Sequence, residues 1–429
     1  MSDLFLGIDL GTSGVRSSVV DARGELVGSA RATYPSARAD DAVDARDWWA
    51  AVDDCLTRQI AALQEAGIDP KAIRAAAIDG TSGSMVLVDA ELAPVTPALM
   101  YNSGGFDPEA GVIAEHADAG SITRGTGSAL ARMLRLQAMD GMGAARHLCH
   151  QADYILAILR GKGGASDDNN TLKLGFDPEC ERWPDWFASA GVRMALLPDV
   201  FRVGDEVGRI SPDIAEKYGL SPELMLLAGT TDSIAAFLAS GASTIGDAVT
   251  SLGTTLVIKL LSDKRIDDAA RGIYSHRLGD RWLVGGASNT GGGVLLDHFD
   301  AAGITALSAL VDASTESGLD YYPLSRPGER FPVNDPAYPP RLTPRPDEDH
   351  LFLHGMLEGI ARIEAQCYGA LASLDAPAPA RIFTAGGGAR NPVWTEIRRR
   401  IVSDGLHDAR FQEASAGMAE LCRRSLIAI

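Results

Sequence analysis

The sequence predicts an α/β protein made of two duplicated domains, and three observations lead there. Two segments of one design, Gly7-Ile8-Asp9-Leu10-Gly11-Thr12-Ser13-Gly14 and Thr250-Ser251-Leu252-Gly253-Thr254-Thr255, each lie between runs of β-branched and large apolar residues, as strands meeting at a tight turn do. Helical periods alternate with such strands in both halves. The 429 residues, 46% apolar and 22% charged, are also more than one core holds and suit two folded domains. Domains are expected over residues 1–224 and 225–429.

Leu4 to Ile8 enters the first turn and Val15 to Val20 leaves it; Asp21 to Glu25 turns into a third strand at Leu26 to Ala30. Trp48, Trp49, Val52, Cys55, Leu56, Ile60 and Leu63 then recur at helical spacing up to Gly67. The strand Ala75 to Ile78 opens into Asp79-Gly80-Thr81-Ser82-Gly83-Ser84, the kind of strand end where α/β proteins bind ligands. Met85 to Asp89 is another strand, and Ala129 to Arg160 reads as helical, ending near Gly161. A strand restarts at Met225 and opens the expected second domain, whose hairpin enters through Ala248 to Thr250 and leaves through Leu256 to Leu260. The proline-rich stretch 323–346 reads as an extended surface excursion, followed by a helix over Phe352 to Leu374 and a strand over Arg381 to Ala385.

The formal net charge of −18 excludes a broad nucleic-acid surface but leaves room for a small polyanion held by glycine loops. No run approaches the roughly 18 uninterrupted apolar residues of a spanning helix. No basic start followed by an apolar stretch suggests a secretory leader, so a cytoplasmic enzyme is expected. Cys55, Cys149, Cys180, Cys367 and Cys422 show no paired spacing and argue against a disulfide framework.

Glycine lets backbone approach an anion, and the following hydroxyls add donors. Thr12 and Ser13 in the first turn, with Gly253, Thr254 and Thr255 in the second, therefore point to a polyphosphate gripped by two hairpins. Asp9 beside such a phosphate would repel it unless it holds Mg²⁺ or its waters, against the ordinary reading of a turn residue. Asp232, at the end of Gly229-Thr230-Thr231, is either the cap of the following helix or a general base for an attacking hydroxyl, and both roles are compatible. Asp79 and Ser82 suit a polyol, or a turn. The turn Ala385-Gly386-Gly387-Gly388-Ala389-Arg390-Asn391, leading to Trp394, permits close contact with a flat base, with Asn391 bonding the base or capping the helix. Gly291 and Gly292, after the strand Trp282 to Gly286, form a second glycine turn at the nucleotide.

Three features read as bland. His147, Cys149 and His150, placed on a helix, point apart and make no zinc site. Gly161-Lys162-Gly163-Gly164 lacks the spacing of a P-loop and reads as a helix-terminating turn. Asp167, Asp168, Asn169 and Asn170 read as a solvated loop or a substrate-facing edge.

Taken in order, Asp9-Leu10-Gly11-Thr12-Ser13, Asp79-Gly80-Thr81-Ser82-Gly83, Gly229-Thr230-Thr231-Asp232-Ser233, Ser251-Leu252-Gly253-Thr254-Thr255 and Gly386-Gly387-Gly388-Ala389-Arg390-Asn391 resemble the FGGY carbohydrate kinases over nearly the whole chain. Within that family, the stretches Thr230 to Gly241 and Ser317 to Pro332 are most similar to the D-ribulose kinase branch of cyanobacteria and plants, whose members have often been labelled xylulose kinases. Asp79 to Gly83 lacks the Met-His-Gly of xylulose kinases and the Arg-Glu of glycerol kinases.

The resemblance implies an actin-like ATPase fold of two ribonuclease H-like domains, the first binding sugar and the second nucleotide, with ATP and sugar in a cleft between them. It implies Asp232 as base and Asp9 and Thr12 at the transferred phosphate, with Mg²⁺ on Asp9 and Asp232, directly or through water. Asp9, Ser13, Gly14, Asp79, Ser82, Asp232 and Ser233 then surround the sugar. Thr12, Ser13, Gly253, Thr254, Thr255, Gly291, Gly292, Gly387, Gly388, Asn391 and Trp394 hold ATP. Beyond sugar and ATP no nucleic-acid or membrane partner is implied, and the chain acts as a monomer or homodimer. The implied reaction is phosphorylation of a ketopentose, most directly D-ribulose. Another pentulose or polyol is the near alternative, and a non-catalytic sensor or an ATP-driven chaperone or filament of the same fold are alternatives of other classes. The terminal helix, altered here around Ser403 to Asp408, is expected under the nucleotide domain.

Overall fold

The strand β1 (Leu4–Leu10) is buried along its whole length, as a strand covered on both faces must be. The computed structural model describes residues 3–35 and 43–427. β2 (Gly14–Asp21) and β3 (Leu26–Thr33) extend β1 as an antiparallel meander, and after α1 (Ala45–Glu65), β4 (Ile73–Gly80) pairs parallel with β1. Helix α1 forms because Trp48, Val52, Cys55, Leu56 and Leu63 make one apolar face, all buried. β5 (Met85–Val88) and β6 (His147–His150) pair apart from this sheet, with α2 (Asp107–His116) and α3 (Ala129–Met139) between them in sequence. α4 (Gln151–Arg160) ends at Gly161, whose φ of 67° is the left-handed cap glycine favours. There follow the parallel pair β7 (Ala165–Asp167) and β8 (Asp199–Phe201), then β9 (Glu206–Arg209), α5 (Pro212–Tyr218), β10 (Met225–Leu227), the two-residue β11 (Thr230–Thr231) and α6 (Asp232–Ala239). The main sheet runs β3-β2-β1-β4-β10-β9, with β11 also on β4.

A second sheet holds β12 (Asp247–Leu252), β13 (Leu256–Ser262), β14 (Tyr274–Leu278), β15 (Arg281–Ser288), β16 (Arg381–Ala385) and β17 (Leu406–Asp408), in the order β14-β15-β13-β12-β16-β17. The helices of this part are α7 (Gly292–Leu296), α8 (Ala301–Ser308), α9 (Asp349–Ala372) and α10 (Pro392–Ile401). In both sheets a hairpin and a third antiparallel strand are followed by two parallel strands on the other side of the first. The duplication inferred from the two glycine–hydroxyl turns is thus a duplication of sheet order.

The chain divides into one unit of Met1–Ala239 with Glu413–Ile429, and a second of Ser240–Gln412. The boundary therefore falls after α6, not at 224/225, because β10 and β11 hydrogen-bond to β4 of the first sheet. The terminal helix Ala414–Leu426 belongs to the first unit as well, and not under the nucleotide-side sheet. Gly7 and Gly417 make the close approach possible: a Cβ at Gly7 would lie 1.9 Å from the Ser415 carbonyl oxygen, and one at Gly417 would lie 2.0 Å from that of Ala235. Ser18 and Ser415 hydroxyls hydrogen-bond at 2.8 Å across the same contact.

Two further expectations are corrected. Residues 129–160 are not one helix, since His147–His150 forms β6 and pairs with Met85–Val88. The proline-rich stretch is irregular but not merely superficial: Leu324 and Phe331 are buried in the core of the second unit.

Candidate active site and nucleotide cavity

In the first unit Asp9 and Asp79 are register partners on parallel neighbours β1 and β4, so their carboxyls share one face of the sheet. Thr230, on β11, is the partner of Asp79 on its other side. Asp232 follows as the first residue of α6, half-buried, and Oδ1 accepts a hydrogen bond from the Ser233 N–H at 2.7 Å. It stands as the first residue of this helix, and its charge acts on both Asp9 and Asp79. Arg16, which sequence reasoning missed, donates from Nη1 to Asp9 Oδ2 at 3.3 Å and pairs through Nε with Glu413 at 3.0 Å. Its position seven residues after Asp9, on the strand leaving the turn, was the available signal.

Asp79 is fully buried and neither carboxyl oxygen meets an N–H or O–H donor among the described residues. Its neighbour is the Asp9 carboxyl, and two acids bond only when a proton lies between them. Burial, and then the Asp9 charge, push Asp79 well above the usual carboxylate range. Burial raises Asp9 too, opposed by the Asp79 hydrogen bond and by Arg16. Asp79, without Arg16 as a hydrogen-bond partner, is the more strongly raised of the two acids, and Arg16 favours the charged form of Asp9. Ser82 Oγ is likewise buried without a partner, whereas Thr81 is occupied by Ser84 Oγ at 2.6 Å and Gln151 Oε1 at 2.7 Å.

A raised acid binds its proton more tightly folded than unfolded, so its contribution to stability is complete below about pH 4 and is lost as pH climbs through the folded value. Asp79→Asn should therefore melt about 2–4 °C above the parent at pH 8 and level with it near pH 4. Calorimetry at both pH values checks the sign; an equal gain at both would contradict the buried acid.

At the first turn, the Gly11 N–H bonds the Gly14 carbonyl at 3.0 Å and leaves Thr12 and Ser13 exposed. Gly14 is buried, and a Cβ there would lie 2.3 Å from the Ala32 carbonyl oxygen, so its lack of a side chain serves the β2–β3 pairing. Ser233 lies half-buried in the first turn of α6. Asp167, Asp168, Asn169 and Asn170 are buried, correcting the solvated-loop reading; burial, and next the Asp153 charge, push Asp167 up to about 7.

The second unit encloses a cavity of about 650 Å³, the size of a small-molecule site. Gly253, Thr254, Gly292, Gly387, Gly388, Asn391 and Trp394 all line it, so three sequence-separated segments meet there. The Gly292 and Gly293 N–H groups bond the Gly253 and Thr254 carbonyls at 2.8 and 3.0 Å, which docks the glycine turn on the hairpin. A Cβ at Gly388 would lie 2.7 Å from both Leu252 and Trp394, so only glycine lets this turn lie so close. Thr255 and Gly291 are not part of the lining; Gly291 sits on the Thr254 and Thr255 backbone behind it. Asn391 caps α10 by accepting the Trp394 N–H at 3.1 Å, and its Nδ2 donates to Ser308 Oγ at 2.9 Å, so the cap reading of this residue holds. Leu296, Ile304 and Val393 add an apolar wall absent from the motif-based reading, because helix side chains converge there only after folding.

The FGGY family of carbohydrate kinases matches through its N-terminal domain over residues 4–139 and through its C-terminal domain over residues 248–422. The chain belongs to this family. As an FGGY carbohydrate kinase it is an ATP-dependent sugar kinase. It is 22% identical over 349 residues to a xylulose kinase of Klebsiella pneumoniae, covering 78% of this chain and 71% of that one. To the gluconokinase of Bacillus subtilis strain 168 it is 24% identical over 443 residues, covering 94% and 83%. The crystal structure of a xylulose kinase from Brucella ovis superposes with a TM-score of 0.85 at 22% identity, over 99% of this chain and 91% of that one. That likeness identifies the fold of this FGGY kinase as actin-like, of two ribonuclease H-like units.

The stretch of this kinase that includes Glu329 braces the second glycine turn. Glu329 is buried and accepts from Ser288 Oγ at 2.6 Å, the Asn289 N–H at 2.7 Å and Tyr322 Oη at 2.9 Å. No helix of the described residues is long and apolar enough to cross a membrane.

Proposed function

We propose that this kinase transfers the terminal phosphoryl group of ATP to the primary hydroxyl of a ketopentose, D-ribulose, giving D-ribulose 5-phosphate. The carrying observation is the buried, unsatisfied oxygens of Asp79 and Ser82 beside Asp9 and Asp232. Folded chains rarely leave such atoms without partners, and a polyol supplies them. A protonated Asp79 both donates to and accepts from sugar hydroxyls. The Asp232 carboxylate orients the primary hydroxyl and takes its proton as oxygen bonds phosphorus and the bond to ADP breaks. Ser13, Gly14 and Ser233 complete the sugar's surroundings, while Thr12 and Ser13 meet the transferred phosphate. Adenosine occupies the cavity over Gly387, Gly388 and Trp394, with Gly253, Thr254 and Thr255 on the phosphates.

Among the described residues, no three His, Cys, Asp or Glu side chains could together hold a metal ion. That donor set suits Mg²⁺, which takes one or two carboxylates and keeps waters and phosphate oxygens for the rest; Asp9 and Asp232 would hold it, directly or through water. When bound it supplies positive charge to the phosphate oxygens. A cytoplasmic location suits an enzyme that draws on ATP.

D-ribulose is favoured over D-xylulose by the absence of Met-His-Gly after Asp79, whereas the similarity to a protein named xylulose kinase favours the latter. Coupled ADP release over D-ribulose, D-xylulose, gluconate, ribitol, erythritol and glycerol decides. We expect kcat/KM for D-ribulose to exceed the others by at least about tenfold, the discrimination one mispaired buried hydroxyl gives. A higher value for another sugar replaces the substrate, and no stimulation by any returns the sensor alternative.

A further inference from the structure

The two-residue strand β11 carries Asp232 to its place, yet it is too short to hold itself. Among the described residues it pairs only with β4, through Thr230 opposite Asp79 and Thr231 opposite Gly80. What steadies Thr230 is a pair of side-chain amides from a buried turn some sixty residues earlier. Asn169 Nδ2 donates to Thr230 Oγ1 at 2.9 Å, and Asn170 Nδ2 donates to the Thr230 carbonyl at 3.2 Å. The turn is itself fixed by Asp167, whose Oδ1 accepts the Asn169 and Asn170 N–H groups at 3.0 and 2.8 Å and whose Oδ2 accepts Asn170 Nδ2 at 2.7 Å. All three side chains and Thr230 are buried, where such bonds gain from low dielectric and a lost partner is costly.

We infer that Asp167, Asn169 and Asn170 are positioning residues for phosphoryl transfer, acting through Thr230 to set the place of Asp232. This rests on the reading of Asp232 as base. Asn170 stands in for a neighbouring strand, since its amide satisfies the backbone carbonyl that a longer ladder would have satisfied. Because Thr230 also pairs with Asp79, the same amides fix the spacing between the base and the buried acid. Without them β11 can shift by a fraction of its hydrogen-bond length, and displacement of a reacting group by about 1 Å costs on the order of 100-fold in rate.

The test is a double-mutant cycle on the full chain. Asn170→Ala should lower kcat by about 10- to 100-fold and leave KM for ATP within about twofold, because the nucleotide cavity lies in the other unit. Thr230→Val, which removes only the Oγ1 acceptor at nearly equal volume, should lower kcat in the same way but less, and carries the cycle if Asn170→Ala does not fold. Combined with Asp232→Asn, neither change should lower kcat further, since the group they position is already gone. Losses that multiply in the double variants, or unchanged kcat in both single variants, overturn the inference. Near-normal turnover of Asp232→Asn alone overturns the base reading and the inference with it, an outcome distinct from the others.

Discussion

Replacing Asp232 with Ala should lower sugar-dependent kcat by about 10²- to 10⁴-fold, the range general-base catalysis supplies, while nucleotide binding stays near normal. At 1.36 kcal/mol per decade that is roughly 3–5 kcal/mol of transition-state stabilisation. The carboxylate is half-buried at the start of α6, and its charge is felt by Asp9 and Asp79. On the proposed reading the sugar hydroxyl gives up its proton to this carboxylate, next to the Asp9–Asp79 acid pair. Removing it also removes one hydrogen bond from the Ser233 N–H, which costs about 1 kcal/mol of stability and cannot account for a loss of several decades. Initial rates in the ADP-release assay, with a nucleotide titration followed by Trp fluorescence, separate the two effects. Retention of near-normal turnover would remove Asp232 from the chemistry.

The largest effect on stability should come from Glu364→Ala. Glu364 on α9 and Arg398 on α10 form a bidentate pair at 2.7 and 2.8 Å, and neither side chain has any exposed surface. Burial works against the Arg398 charge, and the Glu364 carboxylate more than offsets it. The pair also reaches into the sheet: Thr250 Oγ1 donates to Glu364 Oε1 at 2.6 Å, and Arg398 Nη1 donates to Thr384 Oγ1 at 2.8 Å. Truncating one partner leaves the other charge buried alone, a loss of about 3–5 kcal/mol, or roughly 10 °C in melting temperature for a unit of this size. Thr250 and Thr384 lie on the strands that end in the Gly253 and Gly386–Gly388 turns, so KM for ATP should rise at temperatures where the unit still holds. The double replacement Glu364→Met with Arg398→Met should recover most of the stability, since apolar groups of similar volume often replace a buried pair at little cost. Thermal melts of the single and double variants check both statements; a single variant that melts with the parent would show the pair to be idle.

What could be read from the sequence was whatever short-range chemistry dictates. The glycine–hydroxyl turns, the strand running into Asp79, the Asn391 cap and the helix read over Phe352 to Leu374, observed at Asp349–Ala372, follow from turn residues, periodicity and capping, all local. What could not be read depends on distant partners. His147–His150 is a strand because Met85–Val88 offers it a ladder; taken alone, its run with neighbouring apolar residues fits a helix as well. Asp167 to Asn170 have the composition of a surface loop and are buried because Thr230 takes up their amides. Arg16 was passed over because a place on the strand leaving the turn, seven residues after Asp9, does not by itself show that it faces that carboxylate, and its other partner Glu413 meets it only when the terminal segment is in place.

That helix has a consequence for how the polypeptide is made. Residues 414–426 pack against β1, some four hundred residues earlier in the chain, with Ser415 touching Ser18 on β2 and Gly417 lying on Ala235 of α6. Domains ordinarily finish folding in the order of their synthesis. Here the first unit's sheet keeps an uncovered face while the intervening second unit is still being synthesised, so during translation the nascent chain carries an apolar surface, and this unit closes only after the one that interrupts it.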